Sequence, residues 1–257
     1  MKISVFTSNQ PRHVSLLRSL SEQGHEVSAV METTAVQRVA PSSSPIRHEY
    51  FAEMYQAENK FFGSSLDTPK GARILAIPMG QINFLERRHI SAFLDCDQIV
   101  VFGSDYIKGW LVDELIERNA INIHMGLSPY FRGSACNFWA LFDGFPNHVG
   151  GTIHLLSRGL DSGGMLYHAL PTFSGEDPFE FAMKAVLATQ DCLLKTLGTQ
   201  FPPPVEQLRD FEIRYSRSAD FTDDIIVEYL GRDLSPTKLA KSLDDGPKPS
   251  LVNPHYF

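Results

Sequence analysis

The chain has 257 residues, 43% of them apolar and 18 of them phenylalanine, enough to bury a substantial core in one large domain, or in one domain with a small appendage. A net charge of −7 with no basic run argues against a nucleic-acid or anionic-membrane binder, whose phosphate contacts need clustered Lys and Arg. Three separated cysteines, Cys96, Cys136 and Cys192, with no CxxC pair argue against a disulfide framework or a structural zinc site.

In chain order, residues 2–6 read as a strand, and 12–23 as a helix with Val14, Leu16, Leu17 and Leu20 on one face. Residues 26–31 read as a second strand, and 36–47, polar and rich in Ser and Pro, as a loop. Residues 48–62 read as a helix whose Phe51, Met54, Tyr55 and Phe62 face the core. A strand at 73–78, a helix at 84–93 and a compact apolar strand at 98–102 follow, then a helix at 110–118 and a strand at 120–124. This alternation predicts an α/β protein with a doubly wound, mostly parallel sheet, and points to the loops after Phe102 and His124 as ligand sites. Residues 149–156 and 165–173 are strand-like and 178–197 helical. Phe201-Pro202-Pro203-Pro204 then marks a boundary between residues 1–200 and a small extension, 201–257, with short helices at 223–230 and 237–243. No signal-peptide core or membrane-length apolar run is visible, so a cytoplasmic protein without membrane insertion is expected.

Two stretches carry chemistry. Asn122 and His124 are two apart on a predicted strand, so their side chains point to the same side. Polar groups there cost free energy unless they are used or paired. Asp161 lies in a glycine-flanked turn, seven residues after His154. Together an amide, an imidazole and a carboxylate suit attack of an amine on a carbonyl. Asn122 would donate to the oxyanion, His124 would act as general base, and Asp161 would orient the ring. Taken singly each is ordinary: Asn-x-His arises by chance, and Asp in a Gly-rich turn is a common turn former. His154 reads as a packed or orienting histidine and Cys136 as a small buried residue.

Asn122-Ile-His124 followed by Pro129, Arg132 and Gly133, with Thr152-Ile-His154 and Asp161-Ser-Gly163, resembles the paired signatures of folate-dependent formyltransferases. The 39-residue separation of Asn122 and Asp161 fits, and the resemblance runs from about Lys2 to Leu197. It implies a Rossmann-like fold, no metal, and N10-formyltetrahydrofolate as donor. It also places the folate against Gly103, Ser104, Asp105, Tyr106 and Ile107, with Leu155, Leu156, Ser157, Arg158, Gly159 and Leu160 closing over it.

Departures from the family pattern bear on the acceptor. The first loop, Thr7-Ser8-Asn9-Gln10-Pro11-Arg12-His13, lacks the glycine-rich phosphate cradle of the purine enzymes. Residues 201–257 carry seven Lys/Arg against ten Asp/Glu, the wrong balance for tRNA. The run Gly126-Leu-Ser-Pro-Tyr-Phe-Arg-Gly-Ser-Ala-Cys-Asn137-Phe138-Trp139 is similar to sugar N-formyltransferases of surface polysaccharide (O-antigen) pathways. That implies a nucleotide-linked 4-amino-4,6-dideoxy sugar such as GDP-perosamine as partner substrate. Arg12, His13, Tyr130, Arg132, Asn137 and Trp139 would line its site. The other acceptors weighed are a dTDP-amino sugar, hydroxyornithine and glycinamide ribonucleotide. Rival readings are a non-catalytic folate-binding protein, a hydrolase using Ser134 or Cys136 (with no G-x-S-x-G elbow), and a zinc enzyme using His124, His148 and His154. Phe221 and Tyr229 on the tail would pair subunits in a homodimer.

Overall fold

The computed structural model describes residues 1–35 and 43–257. It begins with β1 (Lys2–Ser8), α1 (Pro11–Glu22), β2 (Glu26–Thr33), α2 (Pro45–Phe62) and β3 (Arg73–Pro78). Then come α3 (Arg87–Leu94), β4 (Gln98–Phe102), α4 (Trp110–Glu117), β5 (Ile121–His124), β6 (Phe131–Gly133) and α5 (Cys136–Phe142). The chain ends with β7 (Gly151–Leu155), β8 (Met165–Leu170), α6 (Pro178–Thr196), β9 (Arg214–Ser216), α7 (Asp223–Gly231), α8 (Pro236–Asp245) and β10 (His255–Tyr256).

Eight strands form one sheet in the order β10-β8-β7-β5-β4-β1-β2-β3, and β6 pairs with β9 in a separate two-stranded sheet. The central pairs from β3 to β5 are parallel, while β7 runs antiparallel to both β5 and β8. The chain winds outward from β1 to β3 and restarts with β4 on the other side of β1, so the topological switch point lies between β1 and β4. Both faces are covered, which explains the uninterrupted apolar runs. Ile3, Val5, Val100 and Phe102 pack with α1 and α6, whereas Phe6, Ile99 and Val101 pack with α3 and α4. In α1, Leu16, Leu17 and Leu20 are fully buried, each contributing about 2 kcal/mol of transfer free energy.

Most predicted elements stand within a few residues. Of the loop expected at 36–47, residues 36–42 lie outside the described part, and 45–47 are helical. Ser44 there accepts the Arg47 N–H and Pro45 opens α2. The helix expected at 84–93 is a 3₁₀ turn, Ile82–Phe84, followed by α3, because Glu86 and His89 form a capping box that starts the helix at Arg87. No expectation covered β6, α5, β9 or β10. Segment 201–257 runs across the molecule: β9 joins β6, Ile226, Tyr229 and Leu239 enter an aromatic core with Tyr50 and Phe138, and β10 extends the main sheet beside β8. The subunit-pairing role expected of Tyr229 is corrected, since its ring is 3% exposed and packs 4.6 Å from Phe138 within the chain. Among the described residues no helix is long and apolar enough to cross a membrane.

Candidate active site

Strand register builds the centre. Asn122 on β5 stands directly opposite His154 on antiparallel β7, and His124 opposite Thr152. His154 Nδ1 donates to the Leu155 carbonyl at 2.8 Å, so its Nε2 accepts from the Asn122 amide at 3.0 Å. The second Asn122 amide hydrogen faces Asp161 Oδ1 across a long 3.5 Å. Asp161 Oδ2 lies 3.3 Å from His124 Nδ1, and its Oδ1 lies 3.9 Å from His154 Nε2. Asn122, His124 and Asp161 therefore converge, with His154 as a fourth member holding the amide.

His124 is 6% exposed. Its Nε2 faces the Phe131 carbonyl at 3.1 Å while Nδ1 faces the Asp161 carboxylate. Two acceptors around one ring favour the doubly protonated form. Burial works against that charge, but the Asp161 carboxylate and the neighbouring Cys136 sulfur outweigh it and hold His124 well above the ordinary histidine value. Burial likewise opposes ionisation of Asp161, and the His124 charge with its hydrogen bond overrides it, holding the carboxyl far below the usual carboxylate range.

These residues open onto a cleft of about 950 Å3 at the carboxyl ends of the central strands. Gly103, Ser104, Asp105, Tyr106 and Ile107 line one wall, and Leu156, Ser157, Gly159, Leu160 and Asp161 another. The two walls meet where the Tyr106 hydroxyl donates to the Arg158 carbonyl. Leu155 and Arg158 contribute backbone rather than lining: Leu155 pairs with Gly164, and the Arg158 guanidinium turns out to Asp113 at 2.7 Å. The Asp105 N–H donates to buried Glu32 at 2.6 Å, which fixes the first wall from beneath.

The residues expected around the acceptor divide. Arg12, His13 and Asn137 line the cleft. Arg12 is paired at 2.6 Å with Glu58, which is 1% exposed and also accepts the Arg12 N–H at the α1 N-terminus. His13 bonds Ser8 and packs edge-on against Phe102. Asn137 accepts the Gly150 N–H. Tyr130, Arg132 and Trp139 do not line it. Tyr130 is tied to Ser250, Arg132 to Glu212 and the Leu160 carbonyl, and Trp139 is 2% exposed in the aromatic core beneath Arg214. Phe221, expected to pair subunits, lines the cleft instead, and sequence reading missed Arg47, Tyr50, Arg217 and Ser218, which also line it. They come from α2 and the tail and carry no local motif. Phe51 and Met54, read as core, line it as well. Among the described residues no group of three His, Cys, Asp or Glu is arranged to hold a metal.

Residues 94–192 match the formyl transferase family, a stretch that contains Asn122, His124 and Asp161. The methionyl-tRNA formyltransferase of Caldanaerobacter subterraneus subsp. tengcongensis is 30% identical over 165 residues, 63% of this chain and 47% of that protein. The chain spans about half or less of the length of the curated relatives it matches. Among solved structures, a 4-N formyltransferase from Francisella tularensis superposes with a TM-score of 0.54 at 19% identity, covering 86% of this chain and 77% of that one. The formyltransferase PseJ from Anoxybacillus kamchatkensis, solved with UDP-4,6-dideoxy-4-formamido-L-AltNAc and tetrahydrofolate, gives a TM-score of 0.52 at 16% identity over 95% of this chain and 100% of that one. The resemblance to formyltransferases read from the two motifs is thus shown, as is the Rossmann-like, mostly parallel α/β fold.

Proposed function

We propose that this chain transfers the formyl group of N10-formyltetrahydrofolate to the 4-amino group of a nucleotide-linked 4-amino-4,6-dideoxy sugar, with GDP-perosamine as the narrowest reading. The observation that carries it is the convergence of Asn122, His124 and Asp161 on a cleft flanked by both candidate folate walls. The acceptor nitrogen attacks the formyl carbon, the tetrahedral oxyanion forms, and the bond to N10 breaks as N10 takes a proton. His124, expected as a general base, begins as the charged acid, so its first task is to stabilise that oxyanion and then to protonate N10. Asn122 redirects its long hydrogen bond from Asp161 to the same oxygen. Asp161 keeps the ring charged and oriented, and the amine proton returns to the His124–Asp161 pair. The donor's pterin would lie against residues 103–107 under the 156–160 loop, with backbone groups doing the binding.

The acceptor would occupy the other end of the cleft, beside His13, Asn137, Arg217 and Ser218. Two supports favour a nucleotide sugar over a phosphoribosyl amine. The β1–α1 turn has no glycine cradle, and its helix N-terminus is already occupied by the Glu58 carboxylate. The Anoxybacillus enzyme of this fold was solved with a UDP-linked formamido sugar. A dTDP-linked sugar is the leading alternative acceptor. A cytoplasmic homodimer belongs to the same proposal; analytical ultracentrifugation decides the dimer, which would use a face other than Tyr229.

The deciding experiment incubates purified protein with N10-formyltetrahydrofolate and a panel of nucleotide amino sugars, glycinamide ribonucleotide and hydroxyornithine, and reads a formyl mass increment. A product on GDP-perosamine supports the narrow reading, and a preference for a dTDP sugar replaces it. Folate binding without transfer to any amine refutes the enzymatic one.

A further inference from the structure

Asp161 is a non-glycine residue at φ 45°, a region that persists only where the surroundings over-determine it. Its own turn supplies part of the constraint: a Cβ on Gly163 would stand 1.7 Å from the Leu155 carbonyl oxygen. The remainder comes from segment 204–216, outside the stretch that matches the family. Met165 and Val205 exchange both backbone hydrogen bonds, at 2.7 and 2.9 Å. Gln207 Nε2 donates to the Gly163 carbonyl at 2.7 Å. Arg132 Nη2 donates to the Leu160 carbonyl at 2.7 Å while Nη1 is held by Glu212 Oε2 at 3.0 Å. The two carbonyls so fixed lie one residue before Asp161 and two after it. The Arg132 side chain is 9% exposed, too buried to hold that geometry as an unpaired charge. Strand β9 also pairs with β6 at Arg132↔Tyr215, and a Cβ on Gly133 would stand 1.9 Å from the Ser216 carbonyl oxygen, so the segment lies flush against the backbone bearing Arg132.

We infer that residues 204–216 form a strap that positions Asp161 against His124, with Glu212 acting through Arg132 and Gln207 acting through Gly163. Both are positioning residues and touch no reacting atom. The inference rests on the reading of Asp161 as the reactive-site carboxylate, but half of its test needs no formyl transfer. The titratable groups facing His124 are Asp161 from the turn and Cys136 from α5, and Gln207 and, through Arg132, Glu212 bear on the turn that carries Asp161. Cutting the strap therefore lowers the His124 titration midpoint by letting its carboxylate partner drift.

The test uses the full chain with Glu212→Ala, Gln207→Ala and the double variant, plus Glu206→Gln on the same segment as control. Ring titration of His124 is followed by NMR, and kcat and KM are measured with the acceptor found active. The strap predicts a lowered His124 midpoint, and a kcat down on the order of tenfold to a hundredfold with KM little changed, as for a sub-ångström to ångström misplacement of a catalytic group. Glu206→Gln leaves both unchanged. Where an alanine variant does not fold, Glu212→Gln keeps the shape, removes the charge and carries the same readouts. Folded variants that keep the wild-type His124 midpoint and kcat overturn the strap. Were no amine formylated by the wild type, the function would fail while the midpoint shift still judged the strap.

Discussion

Replacing Arg214 with lysine removes a planar fork while keeping the charge. Arg214 Nε and Nη2 reach Asp143 Oδ2 and Oδ1 at 2.6 and 2.8 Å, and its guanidinium lies 4.2 Å from the Trp139 ring centroid. The two side chains are 32% and 18% exposed, so solvent weakens the pair and the low end of each range applies. Lysine forfeits one charge-assisted bond, about 1.5 kcal/mol net, and about 0.5 kcal/mol of stacking on the indole. The sum is about 2 kcal/mol, or roughly 4–8 °C in Tm for a chain of this size. Urea unfolding reads it as a lower midpoint with unchanged m. A double-mutant cycle with Asp143→Asn isolates the pairwise part. A loss below about 0.5 kcal/mol for Arg214→Lys, or no coupling in the cycle, refutes the claim that this fork fastens β9 to α5.

Arg12→Ala strands the Glu58 carboxylate, 1% exposed, and costs about 3–5 kcal/mol in chemical unfolding; a near-neutral result would mean that this pair does not hold α1 against α2. Asp161→Asn and His124→Ala abolish formyl transfer with the far-UV circular dichroism intact, and turnover near wild-type rates in either defeats the proposed chemistry. Burial holds His148 and His168 down at about 4, so both stay neutral in the fold while the unfolded chain protonates them near 6.5. Their contribution is therefore full above about pH 6.5 and falls as pH drops towards 4, by on the order of 3 kcal/mol each. The His124–Asp161 pair has the opposite sense on its histidine side, since a raised pKa contributes stability below about pH 6.5 that is lost as pH rises through the folded value. His148→Gln and His168→Gln flatten the acid limb of a stability–pH profile, and an unchanged slope between pH 6.5 and 4 contradicts the assignment.

Much of this was legible in the sequence because it is periodic or local. Alternate residues of β1 and β4 face opposite sides, so an apolar run such as Gln98–Phe102 announces a strand covered twice. Asn122 and His124 share a side through the two-residue period alone. What escaped notice lacked such a signature. All seven residues of α5 are buried, so Cys136–Phe142 shows no polar face to mark a helix. Strands β6, β9 and β10 are two or three residues long, below any pattern. Trp139 and Tyr130 were expected to line the acceptor site and lie outside it, since an aromatic ring serves a core and a binding site equally well, and only packing separates the two.

By itself the sequence determined the alternation of a doubly wound sheet, the loops after Phe102 and His124 as the place for a ligand, and the residue types that gather there, all consequences of hydrophobic period and motif spacing. Tertiary structure alone decided the charge on His124, because that depends on which acceptors face its two nitrogens across 7 and 37 residues of chain. It also decided that His154 holds Asn122, that Glu58 fills the α1 N-terminus, and that tail residues reach back to grip the turn bearing Asp161. Those are contacts between distant segments, fixed by burial and by the need to pair every buried polar group, and no local pattern encodes them.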